Sequence, residues 1–264
     1  MSETTTDARE VVVGRGEIEV LDLPPRDGSE GLAPLVLLHE GLGSLRLWRD
    51  FPRSLHAATG RRTVVFSRHG YGQSAVVPEP RQVTYMHDEA REVLPTLLDE
   101  LDVDRPVLVG HSDGGSIALI HAGTPACPPV TGLVLLAPHV VVEDESVAGI
   151  EAAREAFLTT DLVDRMARHH RDPAATFWGW NDIWLSDAFR SWDITDVLPG
   201  VRCPLLALQG VDDQYGTLRQ LDLIEAGVGS SVKRVHLDDC GHAPHLEQPD
   251  ATRDAVVEFL ATLP

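Results

Sequence analysis

The sequence is poor in cysteine and in basic residues, and both shortages exclude classes of protein. Its three cysteines, Cys127, Cys203 and Cys240, are too few for a disulfide framework and too scattered for a zinc site. Its 22 basic residues face 41 acidic ones, so the formal net charge is −19. Because nucleic acids and anionic membranes are bound by clustered Lys and Arg, we expect neither as a partner.

Long apolar stretches are missing as well. No run of about 18 apolar residues occurs, so no membrane-spanning segment is predicted. The first ten residues, M-S-E-T-T-T-D-A-R-E, are polar and acidic, where a secretion signal would be basic and then apolar. We therefore expect a cytoplasmic protein, and its oligomeric state stays open.

Short apolar runs alternate with amphipathic runs along almost the whole chain. Eight runs predict strands, at residues 11–13, 17–23, 34–39, 62–67, 107–110, 132–137, 205–208 and 232–237. Helices are predicted at 45–58, 85–101, 114–121, 218–226 and 250–263. Repeated strand-then-helix units with apolar strands predict a mostly parallel eight-stranded sheet covered by helices on both faces.

One segment, residues 139–198, interrupts this alternation. It shows only helical and loop patterns, and it is too long for a simple connection. It contains four of the five tryptophans: Trp178, Trp180, Trp184 and Trp192. We predict a small helical cap inserted after the sixth strand, over the carboxyl edge of the sheet where such folds bind ligands. Residues 1–138 and 199–264 would then form the core domain.

A G-x-S-x-G motif stands between the fifth predicted strand and the helix that follows it. It reads Gly110-His111-Ser112-Asp113-Gly114. A serine in this position lies on a tight, strained turn with its hydroxyl above the sheet edge, and the flanking glycines allow strand and helix to pack closely. The alternative is a glycine-rich turn with an incidental serine. The strand before and the helix after favour a nucleophile.

A serine nucleophile needs a base, and the base needs an orienting acid. Asp212 and Asp213 follow the seventh predicted strand, and His242 and His245 follow the last one. Parallel strands deliver their carboxyl ends to one edge, and the chain order Ser, Asp, His is typical of a serine placed in this way. We therefore expect one of these aspartates and one of these histidines to meet Ser112.

Five segments together resemble the α/β-hydrolase superfamily, over almost the whole chain. They are L-L-H-E-G-L-G-S (37–44), R-H-G-Y-G-Q-S (68–74), G-H-S-D-G-G (110–115), G-V-D-D (210–213) and G-H-A-P-H-L-E-Q-P (241–249). The resemblance implies the α/β-hydrolase fold and a reaction without a cofactor. It also selects Asp213, three residues after a glycine, and His242, directly after a glycine.

Acyl transfer passes through an oxyanion that needs preorganised N–H donors. One donor is expected to be the backbone N–H of Asp113, the residue after the nucleophile. Related hydrolases read His-Gly-x after the third strand, which makes Gly41 the second donor. Glu40 stands where the family usually has glycine. We expect its carboxylate to point away from the oxyanion or to pair with an arginine, for which Arg68 is the candidate.

The remaining polar residues near these motifs have plainer interpretations. His39 and His111 are expected to hydrogen-bond neighbouring loops and hold the turns. The cluster of histidines and aspartates from His236 to His245 lacks the H-E-x-x-H zinc pattern, so we expect no metal. Candidates for the substrate pocket are Glu40, Leu42, Trp178, Trp180, Trp184 and His245, although packing in a second layer is the more common role for a residue placed like His245.

These residues predict a serine hydrolase that cleaves a small carboxylic ester or thioester. A C–C bond hydrolase or a lactonase with the same three residues is the alternative, and the unusual Glu40 keeps it open. A third hypothesis is a non-catalytic protein of this fold that binds a small ligand. In each case the expected partner is a small molecule.

Overall fold

A single eight-stranded sheet runs through the part of the chain that the computed structural model describes, residues 8–77 and 80–264. The strands are β1 (Ala8–Val13), β2 (Gly16–Leu23), β3 (Leu35–Leu38), β4 (Thr63–Phe66), β5 (Val107–His111), β6 (Gly132–Leu136), β7 (Leu205–Gly210) and β8 (Val232–Leu237). Their order is β1-β2-β4-β3-β5-β6-β7-β8. The β1–β2 and β2–β4 pairs are antiparallel and the other pairs are parallel. All eight predicted strands are confirmed.

Ten α-helices accompany these strands in the described residues. They are α1 (Phe51–Thr59), α2 (Tyr85–Asp88), α3 (Leu94–Glu100), α4 (Asp113–Gly123), α5 (Asp144–Thr159), α6 (Leu162–Met166), α7 (Pro173–Trp184), α8 (Arg219–Gly227), α9 (Pro244–Glu247) and α10 (Pro249–Leu260). A π-helical turn joins α2 to α3. No helix in the described ranges is both long and apolar enough to cross a bilayer.

The predicted helix at 45–58 is interrupted. It is a 3₁₀ helix, Leu45–Trp48, followed by α1. Arg49 between them has a φ of 52°, which no α-helix tolerates. Pro52 lies in the first turn of α1, where its missing N–H costs no hydrogen bond. A new helix therefore starts at this point.

Side chains that alternate along the central strands build a core on each face of the sheet. Val36 and Leu38 belong to one apolar cluster, and Leu35 and Leu37 belong to the other. Because successive side chains of a strand point to opposite faces, a continuous apolar run requires cover on both sides. The helices supply this cover, which leaves the carboxyl ends of the strands open at one edge.

Helices α5, α6 and α7 lie between β6 and β7, as the sequence predicted for residues 139–198. The described part of this segment holds one isolated β-bridge, between Val141 and Asp193. Its aromatic side chains share an apolar cluster with the sheet, including Trp180, Trp184 and Trp192. Its assignment to a separate cap domain stays a prediction. The polar amino-terminal residues 1–7 lie outside the described residues.

Candidate active site

Ser112 lies on the turn between β5 and α4. Its φ of 52° and ψ of −117° place it in a region that L-residues rarely adopt. A Cβ on Gly110 would collide with the backbone of Gly114, and a Cβ on Gly114 would collide with the carbonyl of Leu38. The two glycines therefore allow α4 to pack against β5 and β3. This is the strained strand-to-helix turn that presents a serine at a sheet edge.

Asp213 and His242 meet at the same edge, beyond the ends of β7 and β8. The His242 Nδ1–H donates to both carboxylate oxygens, at 2.9 and 3.0 Å. The carboxylate, which is 1% exposed, also accepts from the Tyr215 N–H at 2.8 Å and from the Gln209 amide at 3.1 Å. Burial acts to raise the pKa of Asp213, but His242, the Tyr215 N–H and His139 together outweigh burial, and the pKa lies below its ordinary value. An ionised Asp213 therefore fixes the tautomer of His242.

Ser112 and His242 line one cavity of about 90 Å³. Its lining is completed by Glu40, Gly41, Leu42, Asp113, His139, Ser146, Ile150, Trp180, Trp184 and Tyr215. Within the described chain, no hydrogen bond joins the Ser112 hydroxyl to the His242 ring, whose Nε2 has no partner there. In substrate-free active sites such bonds are often long and tighten on binding.

Two backbone N–H groups at this cavity are free to bind an anion. Those of Gly41 and Asp113 have no hydrogen-bond partner within residues 8–77 and 80–264. The carbonyl of the Glu40–Gly41 peptide accepts from Arg68 Nη2 at 2.9 Å and from His39 Nδ1 at 2.7 Å. Because N–H and C=O point in opposite directions across a trans peptide, these bonds turn the Gly41 N–H away from the buried Arg68. His39 thus holds this loop, as expected.

The Glu40 carboxylate pairs with a histidine, so of the two expected arrangements the one with an arginine, for which Arg68 was the candidate, is wrong. Glu40 Oε2 lies 3.4 Å from His111 Nδ1. The carboxylate curls over Gly43, where a Cβ would collide with it, and the side chain is 26% exposed. Arg68 is fully buried beneath the loop, where its Nη2 lies 3.4 Å from the Asp113 carboxylate. Arg68 therefore contacts Glu40 through the backbone carbonyl and not through the carboxylate.

The side chain of Asp113 anchors a polar chain that the sequence did not predict. The Tyr85 hydroxyl donates to its carboxylate at 2.7 Å, and Trp184 Nε1–H donates to that hydroxyl at 3.0 Å. Burial raises the pKa of Tyr85 well above its ordinary value, so the phenol keeps its proton. This chain ties α7 to the first residue of α4. No pattern in the sequence indicated that Tyr85 belongs to it.

Of the predicted pocket residues, Glu40, Leu42, Trp180 and Trp184 line the cavity, and Trp178 does not. Trp180 packs so closely on Gly41 that a Cβ there would collide with the indole. Trp178 instead packs against Phe157, with ring centroids 5.4 Å apart, and under the Arg154 guanidinium. Residues four apart share one face of a helix, whereas Trp178 is two residues from Trp180 and faces away.

His245 does not lie at the cavity either. It is 3% exposed and packs between Trp48 and His111, at ring distances of 4.7 and 4.9 Å. Pro244 starts the short helix α9 two residues after His242, and His245 is the second residue of that helix. Burial lowers its pKa to about 3, so it stays neutral. It is a packing residue in the second layer.

Four cavity residues were not predicted: His139, Ser146, Ile150 and Tyr215. His139 lies three residues after the end of β6, so the carboxyl-edge argument would have indicated it. Its ring lies 5.7 Å from that of His242, and burial lowers its pKa to about 3. Ser146 and Ile150 come from α5, for which the sequence gives no such signal.

A metal site or a second cavity could also hold a ligand. Within the described chain, no group of three His, Cys, Asp or Glu side chains is placed to hold a metal ion. A depression of about 770 Å³ opens at the other end of the sheet, beside residues such as Arg62 and Thr131 that precede the strands. None of the residues that surround Ser112 lines it. The small cavity is therefore the candidate active site.

Known proteins resemble the chain in sequence and in fold. A component of the acetoin cleaving system of Pseudomonas putida, a dihydrolipoyllysine-residue acetyltransferase, is 27% identical over 88% of this chain, which spans only 65% of that protein. A bifunctional esterase/perhydrolase of Acinetobacter calcoaceticus is 26% identical in an alignment that covers 73% of this chain and 77% of that protein. The crystal structure of a proline iminopeptidase from Mycobacterium smegmatis superposes on this chain with a TM-score of 0.75 at 19% sequence identity. The superposition covers 97% of this chain and 98% of that protein.

The family profile gives the assignment. The profile described as "Alpha/beta hydrolase family" matches residues 35–255, from β3 into α10. This range includes the turn at Ser112, both loops that carry Asp213 and His242, and the helices between β6 and β7. The sheet order and the structural likeness agree with the match. The chain belongs to the alpha/beta hydrolase family.

Proposed function

We propose that this protein is a serine hydrolase that cleaves a small carboxylic ester or thioester. Ser112 is the nucleophile, His242 the base and Asp213 the acid that orients it. The observation that carries the proposal is the two-oxygen hydrogen bond of Asp213 to His242 at the wall of the cavity that Ser112 also lines. That bond holds the proton on Nδ1 and leaves Nε2 free to accept the serine proton.

The proposed reaction has two halves. The Ser112 oxygen attacks the substrate carbonyl carbon while His242 Nε2 takes its proton, and the resulting oxyanion is bound by the N–H groups of Gly41 and Asp113. Protonated His242 then gives its proton to the leaving alcohol or thiol, and the acyl group stays on Ser112. Water, deprotonated by His242, releases the acid and restores the serine.

The size of the cavity supports a small acyl group. Its volume of about 90 Å³ is well below the roughly 300–1,000 Å³ of sites that hold drug-sized ligands. Trp180, Trp184 and Ile150 give it an apolar wall, which favours an apolar or aromatic acyl chain. The esterase named among the relatives acts on the same bond class. Lactones are cyclic esters and belong in the same substrate panel.

The direct test is Ser112→Ala assayed on p-nitrophenyl acetate and butyrate. We expect kcat to fall at least about 10³-fold with unchanged circular dichroism, because the variant has no nucleophile. Ser54→Ala on α1, remote from the cavity, is the control and should keep full activity. Retained turnover in Ser112→Ala would refute the proposal.

A wider substrate panel and a fluorophosphonate probe separate the other hypotheses. A C–C hydrolase would turn over ring-fission products faster than any ester in the panel. A non-catalytic binding protein would turn over nothing and would leave a fluorophosphonate probe unreacted, because the probe labels only an activated serine.

A further inference from the structure

His111 makes two polar contacts that reach two other parts of the active site. Its Nε2–H donates to the backbone carbonyl oxygen of His242 at 2.7 Å. Its Nδ1 faces Glu40 Oε2 at 3.4 Å. Glu40 precedes the oxyanion donor Gly41, and His111 precedes the nucleophile Ser112. One imidazole therefore links the oxyanion loop, the nucleophile turn and the loop of the proposed base.

The partners of His111 determine its protonation. A carbonyl oxygen only accepts hydrogen bonds, so Nε2 carries a hydrogen. The 3.4 Å approach of Nδ1 to the Glu40 carboxylate is an ion-pair contact rather than a hydrogen bond, and a nearby negative charge favours the protonated, cationic ring. Burial is the largest single influence on the pKa of His111 and acts to lower it, but Glu40, the His242 carbonyl and Asp213 together raise it. Burial likewise acts to raise the pKa of Glu40, but His111, His39 and His245 together lower it.

The groups around Glu40 and His111 do not compete with this pair for its proton. His245 and His242 flank the His111 ring at 4.9 and 5.1 Å, and Trp48 lies at 6.2 Å. The titratable groups that interact electrostatically with one member of the pair are His39, His139, His170, His245 and Asp213. The pKa values of His139 and His245 are lowered to about 3, so neither competes for the proton near neutral pH.

The pairing also explains how a glutamate is tolerated beside an oxyanion site. A lone carboxylate in the cavity wall would oppose the negative charge that develops on the substrate oxygen. Pairing with a cationic His111 offsets that charge within one contact. The pair therefore lets a glutamate occupy position 40 without a net negative charge beside the proposed oxyanion site.

We propose that Glu40 and His111 form a positioning pair that sets where the His242 main chain, and hence its imidazole, stands relative to Ser112. The inference rests on the proposed function. Neither residue takes the serine proton, and both act through His242. Glu40 supplies the charge that holds His111, and His111 supplies the hydrogen bond that holds the His242 carbonyl.

The test is a double-mutant cycle of Glu40→Ala, His111→Leu and the combined variant, with kcat corrected for the fraction of active sites. We expect His111→Leu to lower this kcat about 10- to 100-fold with KM changed by less than about 3-fold, because a small displacement of a catalytic group is that costly. Glu40→Ala should lower it less, and Glu40→Gln less again, since the amide oxygen of glutamine can still accept from Nδ1–H. The combined variant should lose no more than His111→Leu alone.

His121→Leu is the matched control. His121 is also buried between two acceptors, the carbonyls of Ala90 at 2.9 Å and Pro128 at 3.0 Å, but it lies away from the cavity. It should lower the free energy of unfolding and leave the corrected kcat unchanged.

Three outcomes decide the inference. Additive losses in the cycle, or a corrected kcat in both Glu40→Ala and His111→Leu equal to that of the unchanged protein, would overturn it. If His111→Leu does not fold, the comparison of Glu40→Ala with Glu40→Gln decides, and equal kcat values in those two would overturn it. An unchanged protein that neither hydrolyses esters nor reacts with a fluorophosphonate would refute the proposed function instead.

Discussion

At the scale of single residues, the site depends on which nitrogen of His242 carries the proton. Both oxygens of Asp213 accept from Nδ1, and Gln209 and Tyr215 hold the carboxylate in place by donating to it. Every one of these partners favours the ionised carboxylate. The neighbouring Asp212 is exposed, and in the described part of the chain neither a hydrogen bond nor an ion pair joins its carboxylate to His242. The chain thus offers two adjacent aspartates in different environments.

Asp213→Asn tests this arrangement. The amide of asparagine would donate toward Nδ1 and favour the wrong tautomer, so we expect kcat to fall about 10⁴-fold while the fold is kept. Steady-state kinetics on a p-nitrophenyl ester measures the loss. Asp212→Asn, one residue away, should stay within about 3-fold of the unchanged protein. Equal losses in the two variants would contradict the assignment of Asp213.

At the scale of elements, the loop after β3 is held by parts of the chain that are distant in sequence. His170, from the segment between β6 and β7, donates through Nε2–H to the Leu42 carbonyl at 3.1 Å and accepts the Gly72 N–H through Nδ1 at 3.1 Å. Trp180 of α7 covers Gly41 in the same loop. The segment between β6 and β7 therefore holds the loop that carries the proposed oxyanion donor Gly41 and also lines the cavity.

His170→Phe tests this connection. It leaves the Leu42 carbonyl and the Gly72 N–H without a partner, and an unsatisfied buried polar group costs about 1–3 kcal/mol. We expect the free energy of unfolding, measured in urea, to fall by that amount and KM to rise, since Leu42 lines the cavity. His169→Phe is the control, because His169 makes no side-chain hydrogen bond among the described residues. A larger loss in His169→Phe would contradict the role of His170.

The elements themselves could be predicted from the sequence because their signals are local. An apolar run such as that of β3 requires two covered faces wherever the chain places it, and the glycines around Ser112 indicate a tight turn on their own. Partners across loops carry no such signal. The contact of Glu40 with His111 and the position of His245 depend on side-chain directions that only the assembled sheet edge determines.

At the scale of the whole molecule, several buried imidazoles make stability depend on pH. Burial lowers the pKa of His139 and His245 to about 3 and that of His170 to about 4. In the unfolded chain these groups bind protons below about pH 6.5. Between about pH 6.5 and 4 the unfolded state therefore binds more protons, so stability falls as the pH is lowered. His111, whose pKa is raised, acts in the opposite direction, but burial also lowers the pKa of His39, His87 and His121, so the groups that destabilise at low pH outnumber it.

We expect the urea midpoint of unfolding to be lower at pH 5.0 than at pH 7.5. Each imidazole that stays neutral at pH 5 costs up to about 2 kcal/mol there, by proton linkage. His245→Phe removes one of these groups while keeping an aromatic ring beside Trp48, so the difference between its two midpoints should be smaller. An equal or higher midpoint at pH 5.0 in the unchanged protein would contradict this account.

The most direct measurement is the mass of the intact protein after reaction with a fluorophosphonate, followed by peptide mapping. An alcohol that is activated by His242 and Asp213 predicts a single adduct on Ser112, and the same treatment of Ser112→Ala predicts none. Asp213→Asn should react much more slowly. An unmodified mass, or an adduct on any other residue, would contradict the claim that these three side chains work together.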